Sequence, residues 1–284
     1  MNSRLSNIGL VFFVLIGVVP FAAALCYALG YSLGLVGVIN EGFTTRFWQE
    51  VLVSGAFFKS FFYSAAIAAI SVFISVSLAL WFALQFREEL SRKTLSFLIY
   101  LPLAIPGVVA GFFTFQLFAK AGFFSRVAYH LGWISRLQEF PDLVNDQYAI
   151  GIILTFITIV TPFFLLLFLN VYKNERVQDL SELATSLGAT PWQVAWKVSI
   201  PVILHKTWTL IGLYFIFLLG AYEVPLILGQ ESPQMLSVLI IREIKQYDLT
   251  KISEGYVVAV IYTVLVSIGA ILLFSRKKRK ANEI

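Results

Sequence analysis

DLSELATSLGATPWQVAWKVSIP, residues 179–201, is a polar, punctuated segment set into a chain that is otherwise oily. Asp179 with Glu182 three places later reads as a capping box, which puts a helix N-terminus there. Val177, Leu180, Ala184 and Leu187 recur at helical spacing and leave Gln178, Thr185 and Ser186 on the other side. Gly188 falls where a C-cap glycine ends a short helix, expected over roughly Leu180–Leu187. Thr190, Pro191 and Gln193 open a second helix with an N-cap, a proline at the first helical position and another capping box. Pro201 is expected to end it. The segment 177–203 therefore predicts a helix, a glycine turn and a second helix, lying outside the hydrocarbon of a membrane.

The surrounding composition explains why such a segment stands out. The chain of 284 residues is 59% hydrophobic and 13% charged, with mean hydropathy +0.84. A soluble domain carries about twice that charged fraction. One cysteine, Cys26, excludes an internal disulfide. The run Arg276–Lys280 equals the whole formal net charge of +5, and after an apolar helix it reads as a membrane anchor rather than a nucleic-acid patch. Arg4 and the apolar run behind it resemble a signal peptide, but Ile8–Leu29 is long enough to span, so an uncleaved first helix is expected.

Six segments have the ~20 apolar residues that a spanning helix needs. They are approximately Ile8–Leu29, Phe61–Leu84, Phe97–Phe118, Ile150–Tyr172, Trp208–Leu228 and Tyr256–Phe274. The expected fold is an all-α integral membrane protein, one domain of six transmembrane helices with a helix–turn–helix between the fourth and fifth. Both termini then share a side. That side, with the Gln85–Ser96 and Lys173–Lys206 loops, holds 13 of the 21 Lys and Arg, which makes it cytoplasmic. Residues 179–201 are therefore expected in the cytoplasm.

Within the second span Ser71, Ser75, Ala79 and Ala83 lie four apart, a stripe that lets another helix approach closely. Pro102, Pro106, Pro162 and Pro225 interrupt the third, fourth and fifth spans, and bent helices suit a pathway that opens and closes. Glu223 is the one acid well inside a span, which makes it a candidate for the pathway or its gate, with Tyr222, Pro225, Pro106 and Pro162. Trp48, Trp133, Trp192, Trp196 and Trp208 fall near membrane boundaries, as an aromatic belt requires. No phosphate-binding G-x-x-x-x-G-K-[ST] loop and no hydrolase or zinc signature occurs, and His130 and His205 make no ligand spacing with Cys26. Catalysis, cofactor and metal are not expected on this chain.

Glu182, Ala184, Gly188, Val198 and Pro201 fall on the spacing E-A-A-x3-G-x9-I-x-L-P, with Leu183, Val198 and Ile200 as conservative replacements. That pattern resembles the cytoplasmic loop of permease subunits of bacterial ATP-binding-cassette importers. LPLAIPGVVAG, the Leu117–Phe123 segment, ITIVTPFFLLL and GAYEVPLILG are similar to the branch serving polyamines, ferric iron, sulfate, molybdate or thiamine. The resemblance implies an inner-membrane pathway formed with a second permease, more often a different chain than a copy. It implies two cytoplasmic ATPases carrying ATP and magnesium, and an extracytoplasmic binding protein. It assigns coupling to the ATPase to Glu182, Ala184, Leu187, Gly188, Ala189 and Pro201. The rival readings are a secondary transporter or channel without an ATPase, and a non-transporting scaffold. Unrepeated halves and scarce buried charge count against a secondary carrier.

Overall fold

The computed structural model describes residues 3–38, 40, 42–90 and 93–281; the side chains of 3–8, 93–96 and 276–281 lie outside the description. Arg4 and the run Arg276–Lys280, on which the expected orientation partly rests, are among those side chains. Among the described residues there are helices and no strand.

In chain order the helices are α1 (Ser3–Gly17), α2 (Val19–Ser32), α3 (Arg46–Ser54), α4 (Ala56–Gln85), α5 (Arg87–Leu90), α6 (Lys93–Tyr100) and α7 (Gly107–Phe118). They continue as α8 (Phe123–His130), α9 (Ile150–Asn174), α10 (Val177–Ser186), α11 (Pro191–Val194) and α12 (Ile200–Leu219). The last three are α13 (Glu223–Leu228), α14 (Leu236–Ile244) and α15 (Leu249–Ala281). Six stretches among the described residues are long and apolar enough to cross a membrane: Gly9–Ser32, Ala56–Gln85, Gly107–His130, Ile150–Asn174, Pro191–Leu219 and Leu249–Ser275.

Two of the expected spans are corrected, and the first, found over Gly9–Ser32, has a break in its helix. That break falls at Val18, because Pro20 cannot donate to the carbonyl one turn back. The third, expected as Phe97–Phe118, breaks after Tyr100 into a tight turn over Pro102–Ala104, and a new helix starts at Gly107 after Pro106. The apolar helical stretch there runs through α7 and α8 instead. The fifth, expected as Trp208–Leu228, starts earlier and stops at Leu219, where Gly220 caps it and Gly220–Tyr222 separates α12 from α13.

The chain forms two compact units, Met1–Phe61 with Leu236–Ile268 and Phe62–Met235 with Gly269–Ile284. In the first, Phe47 and Val51 on one face of α3 pack with Phe57, Leu236, Leu239, Val257 and Val258 in a single core. In the second, Phe164, Phe168 and Val160 of α9 and Ile203 and Leu218 of α12 are fully or almost fully buried. Ser71, Ser75, Ala79 and Ala83 are all at zero exposure, so the small-residue stripe is a packing face. Leu273 fills the space that a side chain at Gly212 would take, which brings the end of α15 onto α12.

Candidate functional site

The first helix of segment 177–203 starts at Val177, three residues before the expected Leu180. This helix is α10, entered from Arg176 in the left-handed region (φ 48°), with no side-chain cap. Asp179 thus lies in the first turn, where its charge complements the helix dipole, and is not the N-cap. Starting earlier buries Val177 at 0% exposure, which anchors the base of the helix. The other end follows the expected glycine stop, one residue short of Leu187. The Gly188 N–H donates to the Thr185 carbonyl at 2.9 Å and the Ala189 N–H to the Ala184 carbonyl at 3.0 Å. This pair of bonds is the Schellman motif. It requires the left-handed backbone that Gly188 adopts at φ +90°.

The second capping box is formed as read. The Gln193 N–H donates to Thr190 Oγ1 at 3.4 Å, and the Thr190 N–H donates to Gln193 Oε1 at 2.9 Å. Pro201, however, does not end this helix. Ala195–Ser199 widens into a π turn, with the Ile200 N–H reaching back to the Ala195 carbonyl, and α12 follows with Pro201 in its first turn. A proline supplies no N–H to the carbonyl four residues before it. A wider turn lets the helix run on past that gap.

The two arms are braced against each other and against the bundle. Ser181 and Ser199 hydroxyls stand 3.3 Å apart, and Lys206 Nζ lies 3.0 Å from Glu175 Oε2. Beneath α10 is a cavity of about 670 Å³, bordered by Arg87, Tyr172, Gln178, Glu182, Thr185 and Ser199. The Arg87 guanidinium sits 5.2 Å over the Tyr172 ring. Glu182 Oε1 accepts from Gln178 Nε2 at 3.0 Å. Past this base the helix carries an uncovered apolar face: Leu183 is 62% and Leu187 89% exposed. Leu183 follows Leu180 by three residues and precedes Leu187 by four, so it borders the same helical face, and the motif marked it as the replacement of the first alanine. Trp192 and Trp196, rings 5.3 Å apart, are also exposed on the second arm.

The second group of candidate residues is brought together around a helix start. Pro106 is the N-cap of α7 and has no side-chain acceptor to offer. Glu223, in the first turn of α13 and following Tyr222 as its N-cap, supplies one: the Val108 N–H donates to Glu223 Oε2 at 3.0 Å. The carboxylate is exposed rather than embedded in the middle of a span, because the break at Gly220–Tyr222 precedes it. Pro225 is buried in α13, and Pro162 lies inside α9. The partner at Val108 had one visible signal, the glycines at 107 and 111 spaced a turn apart.

Among the described residues the chain is all-helical, with six stretches long and apolar enough to cross a membrane and a braced helix–turn–helix between the fourth and fifth. The chain belongs to the family described as binding-protein-dependent transport system inner membrane component, which matches residues 75–280. It is a permease subunit of an ATP-binding-cassette importer. It is similar to the sulfate transport system permease protein CysT of Synechocystis sp., at 27% identity over 93% of this chain and 84% of that one. It is also similar to a probable sulfate transport system permease protein of Marchantia polymorpha, at 26% identity over 81% and 77%. Its fold matches a crystal structure of a bacterial transporter that imports the acidic polysaccharide alginate, with TM-score 0.71, 15% identity, and 97% and 94% coverage. Family membership sets aside the reading as a carrier without an ATPase.

Proposed function

We propose that this permease carries sulfate or a similarly small oxyanion inward, and that α10 is the element through which a cytoplasmic ATPase drives it. The observation that carries the coupling role is the exposed Leu183–Leu187 face on a helix braced at its base. Two leucines exposed side by side at the end of α10, on a segment read as lying outside the hydrocarbon, fit a surface that another protein covers. The Schellman turn and the capping box fix the direction of that face, so a push on α10 reaches α12 through the π turn instead of dissipating in a loop.

The partners follow from the same reading: two ATPases holding ATP and magnesium, a second permease to close the pathway, and an extracytoplasmic binding protein. The charge asymmetry supports α10 and both termini lying on the cytoplasmic side, in this reading of a bacterial inner membrane. The substrate class is supported by the sulfate permeases the chain is similar to. Membrane vesicles containing the complete importer test it: ATP-dependent, vanadate-sensitive uptake of radiolabelled sulfate is expected, competed by excess unlabelled sulfate. ATP-dependent uptake of a cation such as a polyamine, with none of sulfate, contradicts the substrate assignment.

A further inference from the structure

We propose that Glu223 is a positioning residue that clasps α7 to α13, so that these two helices and the first half of α9 turn as one block on a layer of three helix interruptions. The clasp starts from a deficit. A helix N-terminus leaves N–H groups without intrahelical partners, and Pro106 cannot cap α7. Glu223, 115 residues further on, accepts from the Val108 N–H at 3.0 Å.

The face behind this bond has almost no side chains to separate the backbones. A Cβ added at Gly107 would stand 3.0 Å from Glu223 Oε2; one at Gly111 would stand 3.2 Å from Ile227 Cδ1 and 3.7 Å from Val224 Cα. Glycines one turn apart allow this approach between membrane helices. The block extends to α9 through two further bonds. The Thr155 hydroxyl donates to Thr114 Oγ1 at 2.8 Å, and the Asn145 N–H, just before α9, donates to the Leu228 carbonyl at 2.8 Å.

The interruptions bordering the block meet each other. Leu101–Ile105 precedes α7, Gly220–Tyr222 precedes α13, and the Glu223–Val108 bond joins their ends. Pro162 interrupts the hydrogen-bond ladder of α9, and it lines one cavity of about 380 Å³ together with Pro102, Leu98 and Phe82. The buried Thr161 hydroxyl beside Pro162 has no hydrogen-bond partner among the described residues. Packed helix faces resist gradual deformation, so motion concentrates where the ladder is already broken. The clasp makes three separate weak points act as one hinge.

The test uses the full importer with Cys26→Ser and the pair Gly111→Cys, Ile227→Cys. An ideal Cβ at 111 stands 3.7 Å from Ile227 Cβ, inside the range a disulfide takes. The cross-link is expected to form equally without nucleotide, with ATP and after vanadate trapping, and cross-linked vesicles should take up radiolabelled sulfate as well as reduced ones. Glu223→Gln keeps an oxygen for Val108 and should retain uptake, whereas Glu223→Leu should lower it by about tenfold while ATP hydrolysis continues. A disulfide that forms in only one nucleotide state, or that blocks uptake until reduced, overturns the single block. Glu223→Gln as damaged as Glu223→Leu overturns the clasp, because the charge and not the bond would then be needed. The uptake arm rests on the transport reading above. If wild-type vesicles take up no sulfate, or Glu223→Leu does not insert, the cross-linking yields across nucleotide states decide.

Discussion

Gly188 concentrates the most structural information of any single residue. Its φ of +90° is one that L side chains rarely adopt, yet an added Cβ would meet nothing within 4 Å. Any cost of substitution is therefore backbone strain alone. Gly188→Val should cost ~1 kcal/mol or more and misdirect α10, whereas Gly188→Asn, which tolerates the left-handed region, should be much milder. Co-purification with the ATPase and vesicle uptake measure both; equal effects of the two would show that the turn's conformation is not what matters. Ala184→Trp should also uncouple by pushing the partner away, with Ser186→Ala as the mild control. Gly188 and the Thr190–Gln193 box were legible because a cap is a local event, decided by residues within one turn. Asp179 was misread for a related reason. Its spacing to Glu182 satisfies a box, but burying Val177 pulled the helix start back to where Arg176 must turn left-handed.

At the scale of elements, α10 separates into a buried base at Val177 and an exposed tip at Leu183 and Leu187. Val177→Asp would leave a carboxylate in a fully buried position and should destabilise the loop, reducing the amount of inserted protein. Leu183→Asp and Leu187→Asp alter residues that the chain itself hardly covers, so insertion and thermal stability of the permease alone should be unchanged while ATPase co-purification falls. Loss of folding in the tip variants would mean that the leucines are covered within the permease. The spans show the limits of reading elements from composition. Apolar runs locate helices long enough to cross, but α7 and α13 each begin after a break that hydropathy averages away. The prolines and Gly220 marking those breaks were in view. Which breaks separate elements and which, like Pro201, are absorbed by a π turn depends on hydrogen bonds to distant or neighbouring carbonyls.

For the whole molecule, charge predicts an orientation, whereas the contacts within each unit were not legible in the sequence. Cysteine at Ser186, an exposed position, in a Cys26→Ser background should resist an impermeant thiol reagent in intact cells and react once the inner face is opened. Labelling in intact cells would reverse the topology. Glu223 shows what a one-dimensional reading leaves out: its place in the sequence marked it, but its bond to Val108 joins residues 115 positions apart. The coupling role of α10 is decided by the ratio of sulfate taken up to ATP hydrolysed in vesicles containing the importer with Leu183→Asp and Leu187→Asp, compared with wild type. At ATPase concentrations high enough to restore assembly, hydrolysis should continue while the ratio falls well below that of the wild type. A ratio equal to that of the wild type would contradict transmission through α10.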